Sequence, residues 1–192
     1  MIEFDEARHV YTVDCKPVPS VTHITRFLSV DLMTANTWAR DAAADRGTRV
    51  HAITACIDYG EMPEVEEDVA GYVDAYLRFL ADYSVEWDGI ERIVYSEEFG
   101  YAGTCDRFGR VDGVPTVLDI KTSAALRVPQ VSAQCAAYER ALWWADGASR
   151  RLGALRLARD GTYEYRALDK FVGWELFRAC LTIQKQIKGR LT

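Results

Sequence analysis

The sequence lacks several features that would place it at once in a class of protein. Its five cysteines are widely spaced and form no CxxC pair, which argues against a disulfide framework or a zinc ribbon and fits a reducing compartment. No apolar run is long enough to span a bilayer. The first ten residues, MIEFDEARHV, are too acidic and mixed for a signal peptide. These absences predict a cytoplasmic protein.

The sequence also lacks an excess of positive charge. The 23 Lys and Arg residues are outnumbered by 29 Asp and Glu, for a formal net charge of -6, which argues against a protein coated in positive charge for nucleic acid but leaves room for a local basic channel. No GxxxxGK[ST] motif is present, so the chain cannot itself supply a nucleotide-driven motor. Its 192 residues, 49% apolar and 27% charged, are ordinary for a single globular domain with a full core.

The hydrophobic pattern predicts helices first, then three strands, a helix, a strand pair and a closing helix. The predicted elements are short strands within 2–13, a turn over Asp14–Ser20, helices over Val21–Leu28, Thr34–Tyr59 and Glu64–Asp82, strands over Gly89–Glu97, Ala102–Val111 and Pro115–Ile120, a helix over Pro129–Trp144, strands over Leu152–Arg159 and Tyr163–Leu168, and a helix over Phe171–Lys188. This order predicts an α/β (α+β) fold with helices on both faces of a mixed sheet.

An aspartate and a lysine end the most apolar of these strands. In VPTVLDIK, Asp119 and Lys121 are two residues apart, so both side chains project to one face of the strand and Ile120 points to the other. A simple ion pair at the strand end is the alternative explanation. A charged pair there costs free energy unless ordered groups satisfy it, so we expect it to serve a site.

A third charged residue lies on the preceding strand. Asp106, in GYAGTCDRFGRV, falls beside Asp119 if the two strands pair across the DG turn. Two close carboxylates resist joint ionisation, and a hard divalent cation such as Mg²⁺ or Mn²⁺ resolves that conflict. With Lys121 stabilising developing negative charge, these residues describe metal-assisted phosphodiester hydrolysis.

These motifs, in this order, resemble the PD-(D/E)XK nuclease superfamily, in its RecB-like and lambda-exonuclease-like branch. GTCD followed by LDIKTS resembles the active-site strands, and QCAAY, with Gln134 and Tyr138, resembles the QxxxY motif. RGTRVHAIT is similar to an upstream helix of RecB-like members, and the segment FDEARHVYTVDCKPVPSVTHI resembles the N-terminal part of phage-encoded nucleases. The resemblance implies a three-layer αβα restriction-endonuclease-like core with an N-terminal helical region, as one nuclease domain over 1–192. Within it, 1–83 would carry the histidine motif and 84–192 the nuclease core.

The resemblance implies roles for particular residues. His51, Asp106, Asp119 and the backbone carbonyl of Ile120 would bind the metal, and Lys121 would be the catalytic cation. Relatives often place a further catalytic glutamate on the first core strand, for which Glu91 is the candidate and Glu97 and Glu98 are competitors; a solvated edge is the alternative. Some relatives carry an iron–sulfur cluster on four cysteines, but only Cys180 lies in the last 50 residues, so we predict no cluster.

Another group of residues is predicted to contact DNA. Gln134 and Tyr138 lie four apart on one helix face, and the resemblance implies that this pair supports the site and contacts DNA. Gly47 allows close backbone approach, and arginine binds phosphate with two parallel hydrogen bonds. The phosphate-binding candidates are Arg46, Arg49, Thr122 and Ser123.

The sequence therefore predicts a Mg²⁺- or Mn²⁺-dependent deoxyribonuclease. The resemblance favours an exonuclease of phage or bacterial DNA recombination, replication or repair, acting on single-stranded or duplex ends, with a recombination or helicase protein as a possible partner. A structure-specific endonuclease of the same superfamily is one alternative. A DNA-binding module that no longer cuts is the other, although a retired site has no reason to keep a buried charge pair.

Overall fold

A five-stranded mixed sheet forms the centre of the protein. The structure is a computed structural model that describes residues 1–5, 8, 10–29 and 37–188. The sheet contains, in spatial order, β4 (Val85–Ser96), β5 (Tyr101–Val111), β6 (Val114–Lys121), β7 (Arg151–Leu157) and β8 (Tyr163–Leu168). Only β6 and β7 pair in parallel; the other neighbours are antiparallel. The strand with the most continuous apolar run, β6, is the central one, as its sequence predicts.

A separate three-stranded sheet precedes the core. It consists of β1 (Ile2–Asp5), β2 (Val10–Val13) and β3 (Lys16–Val18). The predicted turn over Asp14–Ser20 is wrong in part, because Lys16–Val18 pairs with β2. The reversal needs only Asp14 and Cys15, both with positive φ, and Pro17 is tolerated because β3 is an edge strand.

In the part of the chain that the structure describes, five helices accompany the two sheets. They are α1 (Val21–Thr25), which continues as a 3₁₀ turn over Arg26–Leu28, α2 (Thr37–Asp58), α3 (Glu67–Asp82), α4 (Val128–Asp146) and α5 (Lys170–Lys188). Ser20 caps α1 by accepting the His23 N–H at 3.1 Å, in agreement with the predicted helix start. The predicted start of α2 at Thr34 lies outside the described residues. The predicted helices and strands otherwise differ from the observed ones mainly at their ends.

The helices cover both faces of the central sheet. Buried residues of α1, α4 and α5 pack with Tyr101, Cys105 and Val117 in one core. Buried residues of α2 and α3 pack with Leu118 and Ile120 in a second core on the other face. This arrangement confirms the predicted three-layer, restriction-endonuclease-like fold. The division of the chain at 83/84 stays a prediction.

Within the described ranges, no helix combines the length and apolar character needed to cross a bilayer.

Candidate metal centre

The candidate site lies at the end of the β5–β6 ladder, where backbone pairing stops and side chains bond to the backbone instead. The register between the two strands runs from Val111–Val114 to Arg107–Leu118. One residue further on, the Asp106 carboxylate accepts the Ile120 N–H at 2.6 Å. The Ile120 carbonyl oxygen lies 3.1 Å from Nε2 of His51. Both backbone groups of Ile120 are therefore bonded by side chains of the site.

Glu91 joins this cluster from β4. The pairs Ile90–Arg107 and Arg92–Cys105 place it opposite Asp106 on the neighbouring strand. Its φ is 45°, a left-handed conformation that costs a residue with a side chain about 1–2 kcal/mol and is found preferentially at functional sites. The competing Glu98 lies beyond the end of β4 and pairs with Arg140 at 3.4 Å. Of the three glutamates, Glu91 is the one within reach of the cluster.

His51 approaches the two carboxylates from α2. Its Nδ1 lies 3.2 Å from Glu91 Oε1 and 3.7 Å from Asp106 Oδ1. The three side chains each offer one ligand atom, and these atoms all lie within 4.8 Å of one another. Burial lowers the pKa of His51, but the negative charge of Asp106 and the bond to Glu91 outweigh it and raise the pKa to about 9. An imidazole, two carboxylates and a carbonyl oxygen are a donor set that fits a hard divalent cation.

Asp119 and Lys121 form an ion pair beside this cluster. Lys121 Nζ lies 2.7 Å from Asp119 Oδ2, with Asp119 2% exposed and Lys121 30% exposed. Burial raises the pKa of Asp119 to about 6, against the attraction of Lys121. Burial also lowers the pKa of Lys121, but the charges of Asp119 and Asp106 outweigh it and raise that pKa. Asp119 is engaged with Lys121 and is outside the three-residue group, so its role as a metal ligand stays a prediction.

The formal charges of the site favour a divalent cation. The site holds four carboxylates: Asp58 and Glu91 contact Arg107, Asp119 contacts Lys121, and Asp106 contacts the Ile120 N–H and His51. Among the described residues, the permanent cations that contact these carboxylates are Arg107 and Lys121. Four negative charges against two positive ones leave an excess of two, which one divalent cation balances. In the absence of metal, a protonated His51 offsets half of that excess.

The predicted QxxxY pair lies in the interior. Gln134 and Tyr138 are on α4 and are only 3% and 4% exposed. The Tyr138 ring packs so closely against β5 that a Cβ at Gly103 would lie 2.8 Å from it. The two residues support the face of the sheet that carries Asp119, and a direct contact with DNA stays a prediction.

The other predicted phosphate-binding residues lie outside the cluster. The Arg46 guanidinium stacks 5.5 Å from the centre of the Tyr72 ring, and Ser123 is exposed and donates to the Ala125 carbonyl at 2.9 Å. The Arg49 guanidinium is bound by Asp45, Glu66 and Asp68. Thr122 lies against α2, where a Cβ at Gly47 would be in ordinary contact with its hydroxyl at 3.7 Å. A close approach of DNA at Gly47 stays a prediction.

The sequence analysis missed a second layer of residues behind the cluster. The largest of them is Arg107, which is 0% exposed and contacts Asp58, Glu91 and Thr54. A signal was available: an arginine in the middle of a central strand is rarely buried without partners. Asp58 follows His51 by seven residues, which places both on one face of α2.

Comparison with known proteins identifies fold relatives but no family. The sequence matches no protein-family model and no curated protein. The structure is similar to a crystal structure described as "Putative exonuclease" from Eubacterium rectale, with a TM-score of 0.53 and 12% identity over 74% of this chain. The match covers 66% of that neighbour, just under two thirds of its length. At this identity the likeness supports a shared fold.

A second solved structure matches over more of the chain but less closely. It is LHK-Exo in complex with dAMP, with a TM-score of 0.39 and 10% identity, covering 91% of this chain and 95% of that one. A TM-score at this level supports no conclusion about this protein.

Proposed function

We propose that this protein is a Mg²⁺- or Mn²⁺-dependent deoxyribonuclease that hydrolyses phosphodiester bonds. The observation that carries the proposal is the convergence of His51, Glu91, Asp106 and the Ile120 carbonyl beside the Lys121 ammonium. The first four supply the ligands for the metal. Lys121 supplies a positive charge that is not part of the ligand set.

The chemistry divides between the metal ligands and Lys121. When bound, a divalent cation supplies charge neutralisation at the phosphate and a water molecule of lowered pKa. Asp119 fixes the Lys121 ammonium at 2.7 Å and keeps it charged. Lys121 retains partial exposure, so it can meet a phosphate and stabilise the negative charge that develops on its oxygens.

An exonuclease is the form of this activity that we propose. The supporting points are the exonuclease-like motif order and a fold shared with a neighbour described as an exonuclease. The substrate would be linear DNA, as single strands or duplex ends, in phage or bacterial recombination, replication or repair. An overall charge of -6 suits an enzyme that takes DNA ends locally and does not coat duplexes.

A nuclease assay tests the proposal. Linear single-stranded, linear duplex and covalently closed circular DNA are each incubated with the protein and Mg²⁺, Mn²⁺ or a chelator. We expect metal-dependent digestion of linear DNA with circles left intact, and loss of that digestion in Lys121→Ala. The matched control is Lys185→Ala, an exposed lysine of α5.

Two other outcomes would change the conclusion. Nicking of closed circles would identify a structure-specific endonuclease. Measurable DNA binding with no cleavage in any metal would favour a non-cutting DNA-binding module or a nuclease that requires a partner protein.

A further inference from the structure

Arg107 is the most deeply buried charged side chain that the candidate site contacts. It lies on β5, an inner strand of the sheet, and is 0% exposed. Burying a guanidinium costs several kcal/mol unless its charge is paired and its N–H groups are bonded. A hydrophobic side chain would fill the core without this desolvation cost, so we expect Arg107 to have a further role.

The guanidinium bonds to two neighbouring elements, α2 and β4. Its Nε contacts Asp58 of α2 at 2.5 Å, its Nη1 donates to Glu91 of β4 at 2.9 Å, and its Nη2 donates to Thr54 of α2 at 3.1 Å. The same Nη1 also donates to the Asp106 carbonyl at 2.6 Å. Arg107 thus spans α2 and β4 from its place on β5.

The α2 contacts lie on the helix face that carries His51. Residues 51, 54 and 58 follow the i, i+3, i+7 spacing of one face. Thr54 also donates to the His51 carbonyl at 3.1 Å, and Asp58 accepts the Tyr76 hydroxyl of α3 at 2.7 Å. The position of His51 over the sheet is therefore tied to the Arg107 network.

We propose that Arg107 is a positioning residue for the metal centre. It holds the Glu91 carboxylate and the α2 face in the one arrangement that brings Glu91, Asp106 and His51 together. The inference rests on the proposed metal site and adds a residue that binds neither metal nor DNA. Groups that orient metal ligands in this way typically change metal affinity by about 10- to 100-fold when they are removed.

A second buried arginine, Arg150, provides a control that distinguishes the positioning of metal ligands from the general effect of replacing a buried arginine. Arg150 is 6% exposed, and its guanidinium bonds to the nearby Asp146 side chain and Ala148 carbonyl. These hydrogen-bond partners lie within four residues of it in the chain, and the guanidinium also stacks on the Phe108 ring at 5.5 Å. None of these groups belongs to the metal cluster. Arg150 is therefore a matched control for Arg107.

The test measures Mn²⁺ binding and folding of the metal-free full chain, independently of activity. Calorimetric titration gives the Kd, and circular dichroism with chemical denaturation gives the folded fraction. Lysine keeps the charge but offers one nitrogen in place of the guanidinium fork, so it cannot bond Asp58, Glu91 and Thr54 together. We expect Arg107→Lys to weaken Mn²⁺ binding at least tenfold and Arg150→Lys to change it less than twofold.

A double-mutant cycle identifies the route of the effect. If Arg107 acts through Glu91, Arg107→Lys adds less than twofold to the Kd in a Glu91→Gln background. A full tenfold effect in that background would support positioning through the α2 face that carries His51. A folded Arg107→Lys protein that binds Mn²⁺ within twofold of the wild type would overturn the proposal. Absence of Mn²⁺ binding by the wild type would instead refute the proposed metal site itself.

A second variant covers a failure to fold. If Arg107→Lys is unfolded, the pair Arg107→Gln/Asp58→Asn removes both charges of the buried ion pair, so neither is left uncompensated. Its control is Arg150→Gln/Asp146→Asn. We expect the Arg107 pair to raise the Kd for Mn²⁺ at least tenfold and the Arg150 pair to change it less than twofold. A folded Arg107 pair with a Kd within twofold of the wild type would overturn the proposal.

Discussion

Helix α2 carries two charged clusters that differ in their surroundings. On one side, Arg49 meets Asp45, Glu66 and Asp68, with the arginine 31% exposed and its partners 54–70% exposed. On the other, Asp58 and Arg107 meet at 2% and 0% exposure, next to His51. Only one residue, Val50, separates Arg49 from His51 along the chain.

The comparison shows why the buried cluster points to function. Exposed ion pairs contribute about 0–1 kcal/mol each and are ordinary on a surface. Buried ones cost desolvation that hydrophobic residues of similar volume would avoid. Stability alone therefore does not explain the buried charged cluster of α2. The carboxylates and the imidazole next to it are ligand types that bind divalent cations.

Replacing Lys121 should have the largest effect. We expect Lys121→Ala to lower the rate of DNA cleavage by about 100- to 1000-fold, the cost of removing one charge-stabilising group. Mn²⁺ affinity should stay equal or increase, because a positive charge next to the ligands is removed. Parallel rate measurements and titrations check this, with Lys185→Ala as the control. A large loss of Mn²⁺ binding would make Lys121 a structural part of the metal site.

In the metal-free protein, the pH dependence of the free energy of unfolding should show that His51 is protonated in the folded state. Its folded pKa of about 9 lies above its ordinary value near 6.5. Protonation therefore stabilises the folded state fully below pH 6.5, and this contribution is lost as the pH rises to about 9. The loss should amount to about 3 kcal/mol. Denaturant unfolding in a chelator at several pH values measures it.

His51→Gln should lose this particular pH dependence. The exposed His23→Gln is the control and should keep it. An unchanged pH profile in His51→Gln would show that the imidazole is not held as an imidazolium between the two carboxylates.

Mn²⁺ should stabilise the wild type but not an Asp106 variant. At 100 times the Kd, a ligand specific for the folded state adds about 2.7 kcal/mol to the free energy of unfolding. We expect Asp106→Asn to abolish this gain, because it removes a ligand charge. Thermal unfolding with and without Mn²⁺ provides the measurement. The exposed Asp74→Asn should keep the full gain, and an equal gain in Asp106→Asn would place the metal elsewhere.

The exposed cluster of α2 should give the smallest effect. We expect Arg49→Ala to lower the free energy of unfolding by less than about 1 kcal/mol, since its partners remain solvated. Denaturant unfolding checks the stability. A loss of DNA affinity above fivefold in the same variant would place Arg49 on the DNA-binding surface, as the sequence predicts.

The sequence predicts the strand-borne part of the site better than the rest. The i, i+2 spacing of Asp119 and Lys121 and the short hairpin to Asp106 are local features, so their proximity follows from strand geometry. The three-layer fold follows equally from the order of helical and strand periodicities. The choice of Glu91 over Glu97 and Glu98 needs the distorted backbone of β4, which the sequence does not encode in any recognisable pattern.

Tertiary packing determines what the sequence analysis missed. The Arg107 network exists only because α2 docks across β4 and β5 and brings Asp58 and Thr54 to a strand residue some 50 positions away. Gln134 and Tyr138 share a helix face, as their spacing predicts, but their burial depends on how α4 sits on the sheet. The sequence analysis predicted a turn over Asp14–Ser20 and missed β3. The chain reverses at Asp14 and Cys15 alone, so the residues after them are free to pair with β2.

The most direct test of the account is the position of a bound metal. Crystals grown or soaked with Mn²⁺ would be measured for anomalous scattering. The account predicts a peak bonded to a His51 ring nitrogen, the Glu91 and Asp106 carboxylates and the Ile120 carbonyl, and its loss in Asp106→Asn. A fully soaked crystal with no peak among these four groups, or with its peak at another site, would contradict it.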